Sequence, residues 1–321
     1  MAGIALFAFA LWRVGIGHLA AQLRHVGYRA VFLLVPYSIG TTIGAWPWAT
    51  LLPRAARPRP RGVVAGRFVA SSANAFLPFF GLAGEPARLL WLRREQRARG
   101  LAAIVVDRVL YNTSNGLLLS FGALVALLAT GLPLAVPLGA AAAAAAMVAV
   151  PLGVLFFVLR FGMGRHVQAL VRRMLGSAYT EGGFGDEVDR SLLDLVRAPR
   201  GRLAAGVFVH LLGRASIATE VYLGLVLLGE RFTLPDAIVL AVVPIGLSLV
   251  FSSIPSQIGV QEGGQALIAG LLGLSPTLGV ALVLLQRFRQ VSFAALVPLL
   301  LRDAKDTNAS GAGPAPEPTP R

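Results

Sequence analysis

The chain has 321 residues, 56% of them hydrophobic and only 14% charged, with a mean hydropathy of +0.71; soluble domains carry about 25% charged residues, so a soluble globular protein is excluded. The formal charge is +14, but lysine is almost absent and the arginines gather in short stretches between apolar runs, which excludes a nucleic-acid binder and matches the charge bias of membrane loops. There is no cysteine, so disulfides and thiolate chemistry are excluded too.

Ala2 to Trp12 is apolar but too short to span by itself. Either the helix continues past Arg13 toward Leu23 or the true start lies upstream; no basic leader with a cleavage site is seen, so no signal peptide is expected. Ala30 to Leu52 forms a second spanning helix, followed by a stiff basic linker from Pro53 to Arg61. Val63 to Leu92 is apolar but interrupted by Pro78, Gly81, Gly84 and Pro86, and Arg93 to Arg99 is a basic loop. Leu101 to Thr130 and Leu134 to Val158 are spans joined by an uncharged turn at Gly131–Pro133. Arg160 to Arg202 is the longest polar stretch, with eight arginines and five acids, and its segment His166–Leu175 has the two faces of an interfacial helix. Leu203 to Leu228 spans, Glu230 to Asp236 turns, and Ala237 to Leu274 is a second interrupted segment. Thr277 to Leu301 is the last span, and the tail from Lys305 to Arg321 is expected to be a disordered cytoplasmic tail.

The two interrupted segments resemble each other. In each, a small polar group precedes a proline, a glycine follows, and a glutamate stands seven residues after the proline: Asn74, Pro78 and Glu85 in the first, Ser252, Pro255 and Glu262 in the second. An arginine follows in the next apolar segment, Arg108 at 23 residues beyond Glu85 and Arg287 at 25 beyond Glu262. Matching Gly/Pro-interrupted segments in two halves are the mark of a transporter built from repeats. Placing the loops at 53–67, 88–99 and 160–202 and the C-terminus in the cytoplasm puts 21 Lys/Arg inside, four outside and four within apolar segments. The interrupted segments then enter from opposite faces. The expected fold is an all-α integral membrane protein of about six transmembrane helices plus two re-entrant broken hairpins in an inverted repeat. Its membrane domain would cover 1–303, with repeats at about 1–130 and 134–303, and 304–321 would be tail. The competing reading is that each interrupted segment crosses as ordinary kinked helices, since 237–254 is long enough to span.

A carboxylate at membrane depth costs about 2.5 kcal/mol or more, so it faces a cavity or a partner. Glu85 and Glu262 are therefore candidates for the transport pathway, as proton acceptor, cation site or arginine partner; equally, each stands where a helix restarts and would serve as a helix-start charge. Asn74, Pro78, Gln257, Gly259 and Pro255 mark the breaks, where backbone groups freed from the helix need protein or water around them. Arg108, Arg287 and Arg289 offer planar forks suited to phosphate, or pair with Glu85, Asp107 or Glu262 to hold the fold; Arg88 and Asp107 are counted with the pathway residues. His210 and Arg214 share a helix face, whereas Arg214 and Glu220 do not. Metal-ligand spacing, a nucleophile elbow and a P-loop are not found, so neither an enzyme nor a cofactor or metal site is expected.

At these residues the sequence resembles the lysylphosphatidylglycerol synthase transmembrane-region family, the flippase-like domain. The matching pieces are Asn74 to Arg88, Asp107 to Leu110, and Ile254 to Glu262 with Arg287, and the resemblance covers roughly 1–303. One departure stands out: the family's second motif usually reads Pro-Gly-Gly, where this chain has Pro255-Ser256-Gln257, which predicts a less open backbone. Some members carry a soluble aminoacyl-transferring domain, and none follows the last span here. The resemblance thus implies lipid handling or translocation rather than synthesis; the Ala-, Arg- and Gly-rich composition suggests a bacterial inner-membrane protein, and the loop charges suggest cytoplasmic termini. Membrane lipids with an anionic or zwitterionic headgroup are the expected partners, and nucleic acid is not. Three functions compete: a lipid flippase-like transporter, a non-transporting partner of a lipid-modifying enzyme or glycosyltransferase, and an ion-coupled carrier of small solutes.

Overall fold

Prolines and capping residues set the helix ends in the computed structural model, which describes residues 24–77, 82–162, 169, 172–173, 183–252 and 254–309; for Pro255 and 303–309 the backbone alone is described. A 3-10 turn, Gly27–Leu33, leads into α1, Leu34–Ile43, and α2, Trp46–Leu51. Helix α3, Pro60–Phe76, starts on a proline whose missing N–H costs nothing in a first turn. It stops at Leu77, which is extended (φ −93°, ψ 138°) because Pro78 follows and clashes with a helical predecessor. The chain returns through a 3-10 helix, Glu85–Trp91. Helices α4, Arg97–Ala129, α5, Ala135–Phe161, α6, Phe184–Val196, and α7, Arg200–Leu228, follow. Helix α8, Leu234–Val250, opens with a reciprocal cap: Asp236 N–H donates to Thr233 Oγ1, and Thr233 N–H to Asp236 Oδ2 at 2.8 Å. Helices α9, Val260–Leu271, and α10, Pro276–Ala309, complete the described chain, which contains no strand.

Five described helices are long and apolar enough to cross a bilayer: 24–51, 94–129, α5, α7 and 276–302. They correspond to five of the six expected spans; the sixth, within residues 1–23, lies outside the described residues, as do Pro78, Gly81, Ser253 and the interfacial helix expected over His166–Leu175, except for 169 and 172–173, which are helical. Helix α8 is apolar but shorter, at 17 residues.

Helix α4 is the hub. At 33 residues it is about 50 Å long, and it packs on α2, α5, α6, α7 and α8. Its first turns join α2 and α6 in one apolar cluster, where Trp48, Leu52, Leu101, Ala102, Phe184, Val188 and Leu192 are buried. The phenylalanine, valine and leucine of α6 stand four residues apart, one face of a helix, and Arg99 pairs with Glu187 at 3.3 Å on its rim. A second cluster packs Val26 and Leu33 against α7, α8, α9 and α10.

One expectation is corrected. Arg67, Arg88 and Arg97 are not loop cations but buried helical residues; Pro60 starts α3 seven residues before Arg67, so the basic linker ends at Arg59. Helix α10 continues to Ala309: Asp303-Ala-Lys-Asp306 contains no helix breaker and good helix formers in alanine and lysine.

Candidate functional site

Each interrupted segment folds back on itself. In the first, Asn74 on α3 holds the return strand twice: Gly84 N–H donates to its Oδ1 at 2.7 Å, and its Nδ2 donates to Glu85 Oε1 at 3.1 Å. The two arms touch at Gly84, where a Cβ would lie 2.2 Å from the Ala70 carbonyl oxygen, so only glycine fits. This closeness brings Glu85, buried, within reach of three arginines. Arg88 Nη1 lies 2.9 Å from Glu85 Oε2, Arg108 3.6 Å and Arg67 3.8 Å from Oε1. The same Arg88 nitrogen donates to Asp107 Oδ2 at 2.8 Å, and its guanidinium lies over the Trp48 ring, 4.6 Å from the centroid. Trp48 is fully buried, and its indole N–H donates to Gly100 O at 3.2 Å. Asp107 Oδ1 is 2.9 Å from His210 Nε2; a carboxylate accepts, so Nε2 carries the proton.

Asp107, Tyr111 and Asn115 form an i, i+4, i+8 stripe on α4, and it faces His210 and Arg214, four apart on α7. Tyr111 is ringed by cations from three helices: Arg67 at 5.1 Å, Arg108 at 4.9 Å and Arg214 at 5.2 Å from its centroid. Arg214 also donates from Nη1 to the Tyr111 hydroxyl at 2.9 Å, while its buried Nε has no hydrogen-bond partner. Four guanidiniums (Arg67, Arg88, Arg108, Arg214) thus surround two carboxylates (Glu85, Asp107), which leaves the cluster two positive charges in excess.

The second segment uses the same parts differently. Pro244 lacks an N–H, so the Leu240 carbonyl one turn earlier in α8 loses its helical donor; Gln265 of α9 supplies one from Nε2 at 2.9 Å. Gln261 reaches Pro244 O at 3.4 Å and also donates to Gln257 Oε1, which accepts from Ser248 at 3.0 Å. Glu262 is fully buried; Oε2 accepts from Gly259 N–H at 2.8 Å and Oε1 from Arg287 Nε at 2.5 Å. Arg287 also donates to Ser256 O at 3.2 Å. Between α8 and α9 the chain turns through Pro255–Gln257 with Ser256 at φ 52°, Gln257 at φ 49° and Gly259 at φ 83°. The turn therefore places a serine and a glutamine in the left-handed region that glycine favours. Close by, Arg289 pairs with Glu220 at 2.8 Å and lies 4.0 Å over the Tyr37 ring.

The predicted residues thus gather into two groups. Asn74, Glu85, Arg88, Asp107 and Arg108 meet at the first segment, and Pro255, Gln257, Gly259, Glu262 and Arg287 at the second. Sequence reasoning missed Arg67 and Tyr111. Both were legible as helix-face neighbours, Arg67 two turns before Asn74 and Tyr111 one turn after Asp107. Among the described residues no group of three or more His, Asp or Glu is placed to hold a metal.

Apolar helices of spanning length, with ionised groups collected at the breaks of two folded-back segments, define a polytopic membrane protein. Residues 1–297 match the lysylphosphatidylglycerol synthase TM region, and the chain belongs to that family. No curated protein and no solved structure matches it.

Proposed function

We propose that the chain is a lipid flippase-like transporter that moves an anionic or zwitterionic phospholipid between the leaflets of the bacterial inner membrane. The observation that carries this reading is the ring of Arg67, Arg108 and Arg214 around Tyr111 at the break of the first segment. Guanidinium forks match phosphate oxygens, and phosphate is what phospholipid headgroups share. In this reading the two folded-back segments are re-entrant hairpins of an inverted repeat spanning 1–303, and both termini are cytoplasmic. Their freed backbone groups are tolerated in a bilayer because protein surrounds them. Asn74, Glu85, Arg88, Asp107 and Arg108 line the headgroup path on one side, and Gln257, Glu262 and Arg287 on the other. Without a nucleotide-binding motif in the sequence, a gradient or downhill exchange supplies the driving force.

The test is reconstitution into vesicles containing a headgroup-labelled phospholipid whose outer-leaflet fraction is quenched chemically. Protein-dependent exchange is expected, and it is expected to vanish in a folded Glu85→Gln, Glu262→Gln double variant. A folded wild-type protein that exchanges no lipid, yet binds a lipid-modifying enzyme, would replace the transporter with the partner reading; solute uptake without lipid movement would replace it with the carrier reading.

A further inference from the structure

Resting on that lipid-transport reading, we propose that the first cluster selects a lipid ending in a phosphate monoester over the phosphodiester of ordinary phospholipids. The argument begins with charge. A buried excess of positive charge is costly unless an anion joins it. The excess here is at least two, from four guanidiniums against two carboxylates, with His210 donating to Asp107. A phosphodiester brings one negative charge. A phosphate monoester brings about 1.5 to 2 at neutral pH, because its second ionisation lies near pH 6.

The geometry separates the cluster into an inner part around Arg88 and an outer part around the Tyr111 ring. Arg88 gives its Nη1 to both Glu85 and Asp107 and is only 1% exposed, with Nε and Nη2 buried without a hydrogen-bond partner. Arg67, Arg108 and Arg214 instead converge on one neutral ring from α3, α4 and α7, all about 5 Å from its centroid. Glu85 answers Arg67 and Arg108 from one side, at 3.8 and 3.6 Å, and one carboxylate does not offset three like charges that repel each other. Arg214 keeps a buried Nε without a hydrogen-bond partner, a donor aimed at nothing the chain supplies. Arg108 leaves 21% of its side chain exposed, so the ring of guanidiniums is reachable while Glu85 and Asp107 are not. The imbalance is local: Arg287 is matched by Glu262 and Arg289 by Glu220.

A terminal phosphate can belong to a lipid or to a soluble molecule, and the experiment separates the two. Vesicles of phosphatidylcholine carry the full chain and a trace of acyl-labelled phosphatidic acid, a monoester, or acyl-labelled phosphatidylglycerol, a diester, at about pH 7.5. A third arm measures uptake of inorganic phosphate. Phosphatidic acid is expected to exchange about tenfold or more faster than phosphatidylglycerol. Arg214→Gln, which removes one charge, is expected to bring the ratio to within about twofold, and Arg214→Lys to keep it. Thermal melting of each variant in detergent reports folding, and the wild-type ratio alone decides the proposal if Arg214→Gln does not fold. Equal rates, or faster phosphatidylglycerol, overturn the monoester preference and leave lipid transport standing. Phosphate uptake with no lipid movement keeps the monoester chemistry and overturns the lipid source. Movement of neither lipid nor phosphate overturns both.

Discussion

In the first interrupted segment Glu85 divides its oxygens among Asn74, Arg88, Arg108 and Arg67. Glu262, at the second, caps its own helix through Gly259 N–H and takes one arginine, Arg287. Three residues beyond each glutamate the difference sharpens. Arg88 ties two carboxylates together, whereas Gln265 repairs the backbone bond that Pro244 removes. The residue before the distal arginine differs likewise, Asp107 in one half and Gln286 in the other. One half of the chain therefore holds a charge-rich, over-positive centre, and the other a centre whose charges balance, although Gln261 Oε1, Gln265 Oε1 and Arg287 Nη2 stay buried without a hydrogen-bond partner. Similar motifs need not carry similar chemistry.

The largest test of that contrast removes the residue three past each glutamate. Arg88→Ala strands Glu85 and Asp107 as buried carboxylates with their shared partner gone, and is expected to cost about 3–5 kcal/mol. Gln265→Ala leaves one buried carbonyl unsatisfied and is expected to cost about 1–3 kcal/mol. Equal losses in detergent unfolding curves would mean that the halves are energetically alike.

A smaller test uses the glycines flanking the glutamates. Gly84→Ala forces a methyl to 2.2 Å from the Ala70 oxygen, and a cost of about 1–3 kcal/mol is expected. A Cβ on Gly263 meets nothing within 4 Å, and inside helix α9 the same change is expected to stabilise by about 0.5–1 kcal/mol. Opposite shifts in melting temperature check both at once. Of similar size is Ser256→Gly, which relieves a left-handed residue in the second turn (φ 52°) and is expected to raise stability by about 1 kcal/mol. A lower melting temperature there would show that the serine side chain has a role that outweighs its strain.

Helix positions were legible in the sequence because uncharged runs bounded by proline, glycine and arginine leave few choices; α4 and α5 end within three residues of the spans read from composition. The pairing of Glu85 with Arg108 and of Glu262 with Arg287 was legible as one of two open roles, since burial leaves an intramembrane carboxylate few partners. The loop assignment of Arg67 was wrong because a cation in a short segment reads as membrane-surface charge until the fold back onto Glu85 is known. Likewise α6 was not singled out, because its apolar face is only Phe184, Val188, Leu192 and their neighbours within a polar stretch. His210 was placed on the right face, but that its partner is Asp107, 103 residues earlier, depends on how α4 and α7 pack.

Trp48 lies beneath Arg88 with its N–H anchored on Gly100. An indole so placed is a natural fluorophore whose emission follows the position of the cation on its face. Anything that draws Arg88 off the ring, a bound anion or a lost carboxylate, changes that light. With Trp12, Trp46 and Trp91 replaced, Trp48 becomes a spectroscopic gauge of the first cluster, readable in intact vesicles with no label attached.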